Sequence, residues 1–241
     1  MSLAKMLTMQ DELDNRIIEN KGLKGLDLIP NTFLALQVEL AEFANEGRWF
    51  KHWSDRQTPR VEQEKCDYCG EYVDYTRPSP FMGESASMCK ICWDMTKEEH
   101  AASNGEYIPD FEDYSHFKKK EPTKLLEEFV DCVHFFFSIA NQKGWQDTLY
   151  IYEDQVDKGN YDGQTTSYYL ELVYYLNKAY MEVYPVDDMI ADFQKNAYYF
   201  RLSWILFLNI GINGFGFTLE QIEDAYVAKN VVNHQRQEQG Y

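Results

Sequence analysis

The chain has 241 residues, 44% hydrophobic and 26% charged, so it can fold as one or two domains and is not a disordered chain. With 40 Asp and Glu against 23 Lys and Arg, its net charge of −17 excludes a general nucleic-acid binder, although a small phosphorylated ligand escorted by a metal remains possible. No apolar run reaches the roughly 18 residues of a membrane span, and the opening MSLAKMLTMQDELDNR carries acids too early for a signal peptide, so no membrane association and a cytoplasmic protein are expected.

Helical patterning predicts a first helix over about 3–20, closed by Gly22 and Gly25. A second, over about 31–50, follows Pro30, with Asn31 as its expected cap. It contains FLALQVELAEFA (33–44), apolar almost all the way round except at positions such as Glu39 and Glu42, which suggests a helix buried on most sides. From 57 to 120 the helical period lapses and Pro59, Pro78, Pro80 and Pro109 appear. Cys66-x2-Cys69 and Cys89-x2-Cys92 lie here, at a spacing that suits a four-cysteine Zn²⁺ knuckle. With all four positions of the ion filled by protein, such a zinc would be structural; free thiols or a redox pair are the alternative. Cys132, on an apolar stretch, reads as a buried hydrophobe.

Helical patterning resumes over about 122–142 with LLEEFVDCVHFFFSIA (125–140), which carries Glu128 and Asp131. A Tyr-rich helix over 165–183 has faces suited either to the interior or to a second copy of the chain. Helices over 188–209 and 218–238 follow, the last preceded by Gly211, Gly214 and Gly216 as breakers and opened by a Thr218–Gln221 capping box. The reading is an all-α helical bundle, 1–56 plus 121–241, interrupted by an inserted zinc-ribbon-like knuckle over 57–120.

Acid-x-x-acid spacing decides nothing by itself in so acidic a chain. The setting of Glu39 with Glu42, and of Glu128 with Asp131, is different, because each pair shares one face of an apolar helix. Burying unpartnered carboxylates costs about several kcal/mol each or forces protonation. A divalent ion removes that cost, and hard oxygen donors select Mg²⁺, with Mn²⁺ as the usual substitute. Salt bridging inside a bundle is the alternative. His134 follows one turn later, either as a core histidine or as a donor to a ligand-holding group. Lys229, Asn233 and Arg236 fall at i, i+4 and i+7, a stripe suited to phosphate oxygens or to a solvated helix end.

These segments together resemble the dimeric, all-α dUTP pyrophosphatases, a branch of the all-α NTP pyrophosphohydrolases. The likeness runs through LTMQDELDNRI (7–17), ALQVELAEFANEGRWFKHWS (35–54), LLEEFVDCVHFFFSIA (125–140) and GFTLEQIEDAYVAKNVVNHQRQEQGY (216–241). It implies Mg²⁺-dependent hydrolysis of dUTP, and of dUDP, to dUMP, by a homodimer. The family's metal motifs map onto Glu39, Glu42, Glu128 and Asp131, with Glu42 as the first candidate for general base and Glu39 beside it. Its uracil-bonding glutamine maps onto Gln10, its tryptophan near the active site onto Trp53, and its aromatic after the second motif onto Phe135. Its phosphate-contacting tail maps onto Lys229, Asn233 and Arg236, with Asn230 and Tyr241 as neighbours. The cysteine insert departs from the family pattern. The competing readings are a related pyrophosphohydrolase acting on dCTP or nonstandard triphosphates, and a zinc-ribbon adaptor with a helical scaffold.

Overall fold

A computed structural model describes residues 2–59, 64–73, 75–102, 107–111 and 123–239. It forms two compact units, 1–59 with 124–241, and 60–123. Apart from short strand pairs the described elements are helical, and the fold is all-α. Among the described residues no single helix is long and apolar enough to cross a membrane.

Helix α1 (Leu3–Asn20) opens where Ser2 accepts the Lys5 amide, and it buries Met6, Leu7, Gln10 and Leu13 along one stripe. Helix α2 (Ile29–Gly47) starts earlier than its pattern suggests. Pro30 sits inside the first turn, where its missing N–H costs nothing, so Asn31 lies within the helix and does not cap it. The helix ends at Arg48, which turns left-handed at φ 63° and donates its amide to Ala44. Nor is α2 buried on most sides, since Leu34 and Val38 are exposed.

The second unit pairs Glu64–Lys65 with Tyr72–Val73 and Arg77–Ser79 with Gly83–Met88, then enters helix α3 (Lys90–Ala102). The sequence pattern gives no sign of α3, because Trp93 is its one buried residue and leaves no apolar stripe. Trp93 packs with Met88, Ile108 and Phe111, and its indole N–H donates to Pro109.

The core of the first unit is built on helix α4 (Thr123–Lys143), whose Leu125, Phe129, Val130, Val133, Phe136 and Ala140 are almost completely buried. Cys132 is buried among them as a hydrophobe. Helices α5 (Thr165–Met181) and α6 (Lys195–Asn209) pack on each other, with Tyr175 stacked on Tyr199. The helix expected from 188 begins only at Lys195. Met189–Ile190 pairs with Phe193–Gln194 across a turn in which Ala191 and Asp192 both have positive φ, and that reversal interrupts the helical path. Arg201 on α6 pins the irregular segment before α5, donating to the carbonyls of Thr148 and Tyr150 and to Gln155.

Helix α6 runs on through a wide turn, Ile210–Gly214, so Gly211 does not break it. Its purpose is steric: a Cβ there would overlap the ring of Phe129, which stacks on Phe207 at 4.1 Å. Helix α7 (Leu219–Glu238) opens on the expected Thr218–Gln221 capping box, and Tyr226 ties it to α1 by donating to the Met6 carbonyl. Gly211→Ala should leave a folded protein destabilised by about 1–3 kcal/mol through overpacking, read as a lowered thermal midpoint. An unchanged midpoint would mean that Phe129 moves aside freely.

Candidate functional site

The acidic faces of α2 and α4 meet. Carboxylate oxygens of Glu39, Glu42 and Glu128 all lie within 4.8 Å of one another. They differ in exposure: Glu128 is buried, Glu39 is half-buried and Glu42 is exposed. Indoor placement, expected of all these acids, thus holds fully for Glu128 alone. Burial, followed by the like charges of Asp131, Glu42 and Glu128, pushes Glu39 up to about 7, with Lys229 opposing. Glu128 is raised by burial despite the ammonium of Lys124 at 3.2 Å.

Asp131 stands apart from this trio. Its carboxylate accepts from Lys229 at 2.7 Å, and the same ammonium reaches Glu127 at 2.8 Å. Burial still raises Asp131, and the two carboxylates raise Lys229 against the opposing effect of its own burial. The expected four-acid set is therefore three acids together and a fourth held by a lysine from α7. Sequence spacing singled out Lys229 for a phosphate-binding stripe and gave no sign that it pairs with Asp131, 98 residues away along the chain. Among the described residues this group consists of carboxylates alone, and a set of oxygen donors suits a hard divalent cation.

Beside the trio lies a cavity of about 350 Å³ between α1, α4 and α7. Glu39 and Asp131 line it, so it touches the acidic cluster. Gln10 and Phe135 line it as well, and so do Lys229, Asn233 and Arg236, the stripe along α7. Two expected participants are elsewhere. Trp53 is 67% exposed and lines a separate, open depression with Arg48 and Lys51. Asn230 is buried on another face of α7 and is not among the lining residues. Tyr241 lies outside the described residues.

Residues that the sequence did not single out complete the cavity wall, above all Asp14 and Ser138. Gln10 is 3% exposed, and both ends of its amide meet protein groups. Its Nε2 donates to Asp14 at 2.8 Å and to Ser138 at 2.9 Å. Its Oε1 lies 2.6 Å from His134 Nδ1 and 3.1 Å from the Tyr226 hydroxyl, whose one proton is shared with the Met6 carbonyl at 3.0 Å. His134 lies flat on Tyr226, with ring centres 4.3 Å apart, and burial lowers it to about 3, so the imidazole is neutral. Asp14 is pushed up to about 6 by burial, against its bonds to Ser138 and Gln10.

In the second unit the sulfurs of Cys66, Cys69, Cys89 and Cys92 also gather within 4.8 Å, with Cys69 and Cys89 3.8 Å apart. That separation is about the edge of a tetrahedron with Zn–S bonds of roughly 2.3 Å. Gly70 has the positive φ that the knuckle needs, and its amide donates back to Cys66. Burial raises Cys66, but backbone amides of Cys69, Cys89 and Tyr68 outweigh it and bring the thiol down to about 6. The cluster is compatible with zinc.

The family model described as dUTPase matches residues 2–77 and 101–241, spanning the carboxylate helices, the cavity and the α7 stripe. The chain belongs to the dUTPase family. It is accordingly a dUTP diphosphatase, with dUTP as substrate. The part of the chain outside the dUTPase match, 78–100, includes Cys89 and Cys92. A search of curated proteins finds no match to the chain.

A carboxyl that ionises harder in the fold than in the unfolded chain costs stability as pH rises. Asp14 is protonated in both states below its ordinary 3.8, is protonated only in the fold between there and about 6, and is ionised at a cost above. Asp14→Asn should therefore stabilise the protein by up to about 3 kcal/mol near about pH 7.5 and by almost nothing near about pH 4. Urea unfolding at the two pH values measures this, and an equal effect at both would contradict it.

Proposed function

We propose that this dUTPase-family protein hydrolyses dUTP to dUMP and pyrophosphate in a Mg²⁺-dependent reaction, and that it also accepts dUDP. The observation that carries the reading is the carboxylate trio of Glu39, Glu42 and Glu128 beside a cavity that Lys229, Asn233 and Arg236 also line. The trio fits Mg²⁺ by the chemistry of its donors, and Asp131 joins it when Lys229 is drawn to a phosphate. Bound there, the metal supplies neutralisation of the polyphosphate and acidification of a water molecule.

The protein's own groups do the rest. Glu42, the most solvent-facing of the trio, takes the proton of the attacking water, with Glu39 beside it. Lys229 and Arg236 hold phosphate oxygens, the first as a point charge and the second through its fork of donors, while Asn233 donates alongside. Phe135 offers its face to uracil at the Gln10 end of the cavity. Trp53 takes part only if its segment closes over bound nucleotide, and Asn230, buried on another face of α7, supports the helix that carries Lys229 and Asn233.

In the same reading the helical unit is the catalytic core and the 57–120 segment is an insert stapled by zinc on Cys66, Cys69, Cys89 and Cys92. The active protein is a homodimer. Its support is apolar side chains left uncovered on two helices, Leu34 (63% exposed) on α2 and Leu170 (65%) on α5.

Pyrophosphate release from dUTP, dCTP and dTTP, and orthophosphate release from dUDP, with and without Mg²⁺, tests the assignment. Glu42→Gln should lower kcat by at least about a hundredfold with the fold intact, as expected on loss of a general base. Full activity of that variant, activity in chelator, or a preference for dCTP would each reject it. Native mass spectrometry addresses the rest: a dimer carrying one zinc per chain is expected, with the zinc lost from Cys66→Ser. A monomer would remove the dimer, and a metal-free wild type would remove the staple.

A further inference from the structure

Glu46 lies on α2 one turn past Glu42, on the same face of the helix, and belongs to neither acid pair described above. It is 7% exposed, and its Oε1 is buried without a protein partner among the described residues. A carboxylate oxygen left unanswered indoors is costly, and it calls for a cation or a donor that reaches it in another state of the site.

The packing of α2 against α4 shows which cation is at hand. Gln142 donates to Thr32 at 3.0 Å, and Phe43 meets Phe129 with ring centres 5.4 Å apart, so the two helices run antiparallel. Glu42 and Glu128 come together within that contact. One turn further, toward the end of α2 and the start of α4, Glu46 comes opposite Lys124. Lys124 spends its ammonium on Glu128, 3.2 Å away, while most of its side chain stays exposed. Its bond to Glu128, and after it charges that include Glu46, raise the lysine above its ordinary value.

The two lysines that meet the acids differ in where they can go. Lys229 lines the cavity, where phosphate oxygens would draw it away from Asp131. Lys124 is not among the lining residues. Once a divalent ion takes Glu128, its ammonium stands beside a stronger cation and needs an anion of the protein itself. Glu46 has the oxygen to offer.

We propose that Lys124 stands in for the divalent cation at Glu128 and passes to Glu46 when Glu128 takes up metal. Glu46 is then a positioning residue, acting on the metal site through the lysine. This rests on the Mg²⁺-dependent reading and adds to it the device that clears a ligand. Neither group changes protonation: the ammonium exchanges one carboxylate for another, and no buried charge is left unpaired.

The test is Mn²⁺ binding to nucleotide-free protein, followed by electron paramagnetic resonance of the free ion, in wild type, Glu46→Gln, Lys124→Met and the double variant. Glu46→Gln should raise the Kd for Mn²⁺ by a factor about 10-fold larger when Lys124 is present than in the Lys124→Met background. Equal factors in the two backgrounds would make Glu46 a ligand or a static charge, and that outcome overturns the proposal. So does a Kd that Glu46→Gln leaves unchanged. Carbon NMR of glutamate-labelled protein needs no substitution inside the core. The Glu46 carboxyl signal should shift when Mg²⁺ is added to wild type, and the shift should be missing from Lys124→Met. A signal that shifts alike in both proteins, or in neither, overturns the proposal. Wild type that binds no divalent ion would remove the Mg²⁺ reading itself, whereas a metal-binding wild type with equal factors removes only the roles of Glu46 and Lys124.

Discussion

Like charge held at close quarters is the constraint from which the rest of this molecule follows. Glu39, Glu42 and Glu128 converge from two helices, and Asp131 lies close enough to add its field to that of the trio. A bundle gains nothing in stability from such a gathering, and the raised Glu39 records the cost. The fold answers with the ammonium of Lys229, brought in on the last helix and shared between Asp131 and Glu127. Attraction between α7 and α4 therefore shapes the cavity wall and, in the same contact, holds a cation at the mouth of an anion-binding surface.

Away from the acids the polar interior is nearly closed on itself. Gln10 links α1, α4 and α7 through Ser138, His134 and Tyr226, and Tyr226 returns to the backbone of α1. Networks of this kind fix orientation more than they add stability. Of the buried atoms left without a protein partner among the described residues, Asp14 Oδ2, His134 Nε2 and Gln237 Oε1 belong to side chains that line the cavity.

Much of this was legible in the sequence, and the limits have physical causes. Helix α1, marked by its apolar stripe, and helix α7, marked by its capping box, fall where their patterns put them. Helix α3 escaped because a helix that buries one tryptophan writes no period. The hairpin at 189–194 escaped because its turn uses left-handed Ala191 and Asp192, residues that do not advertise positive φ as glycine does. At the site, i and i+3 spacing placed the acids on shared faces, and the α7 stripe lines the cavity as its period implied. Spacing cannot show which cation meets which acid, so the Lys229–Asp131 pair was invisible. The partners of Gln10 were equally hidden, since they come from three helices.

The overlap that any side chain at 211 would create reaches further than packing. Phe129 and Glu128 are neighbours on α4, and successive residues on a helix point about 100° apart. Whatever wedges the aromatic ring thus sets the azimuth of the whole rod and, with it, the direction in which the carboxylate looks. A glycine far from any ligand keeps the acid-bearing helix from rolling, so the oily side of the bundle steers the charged one.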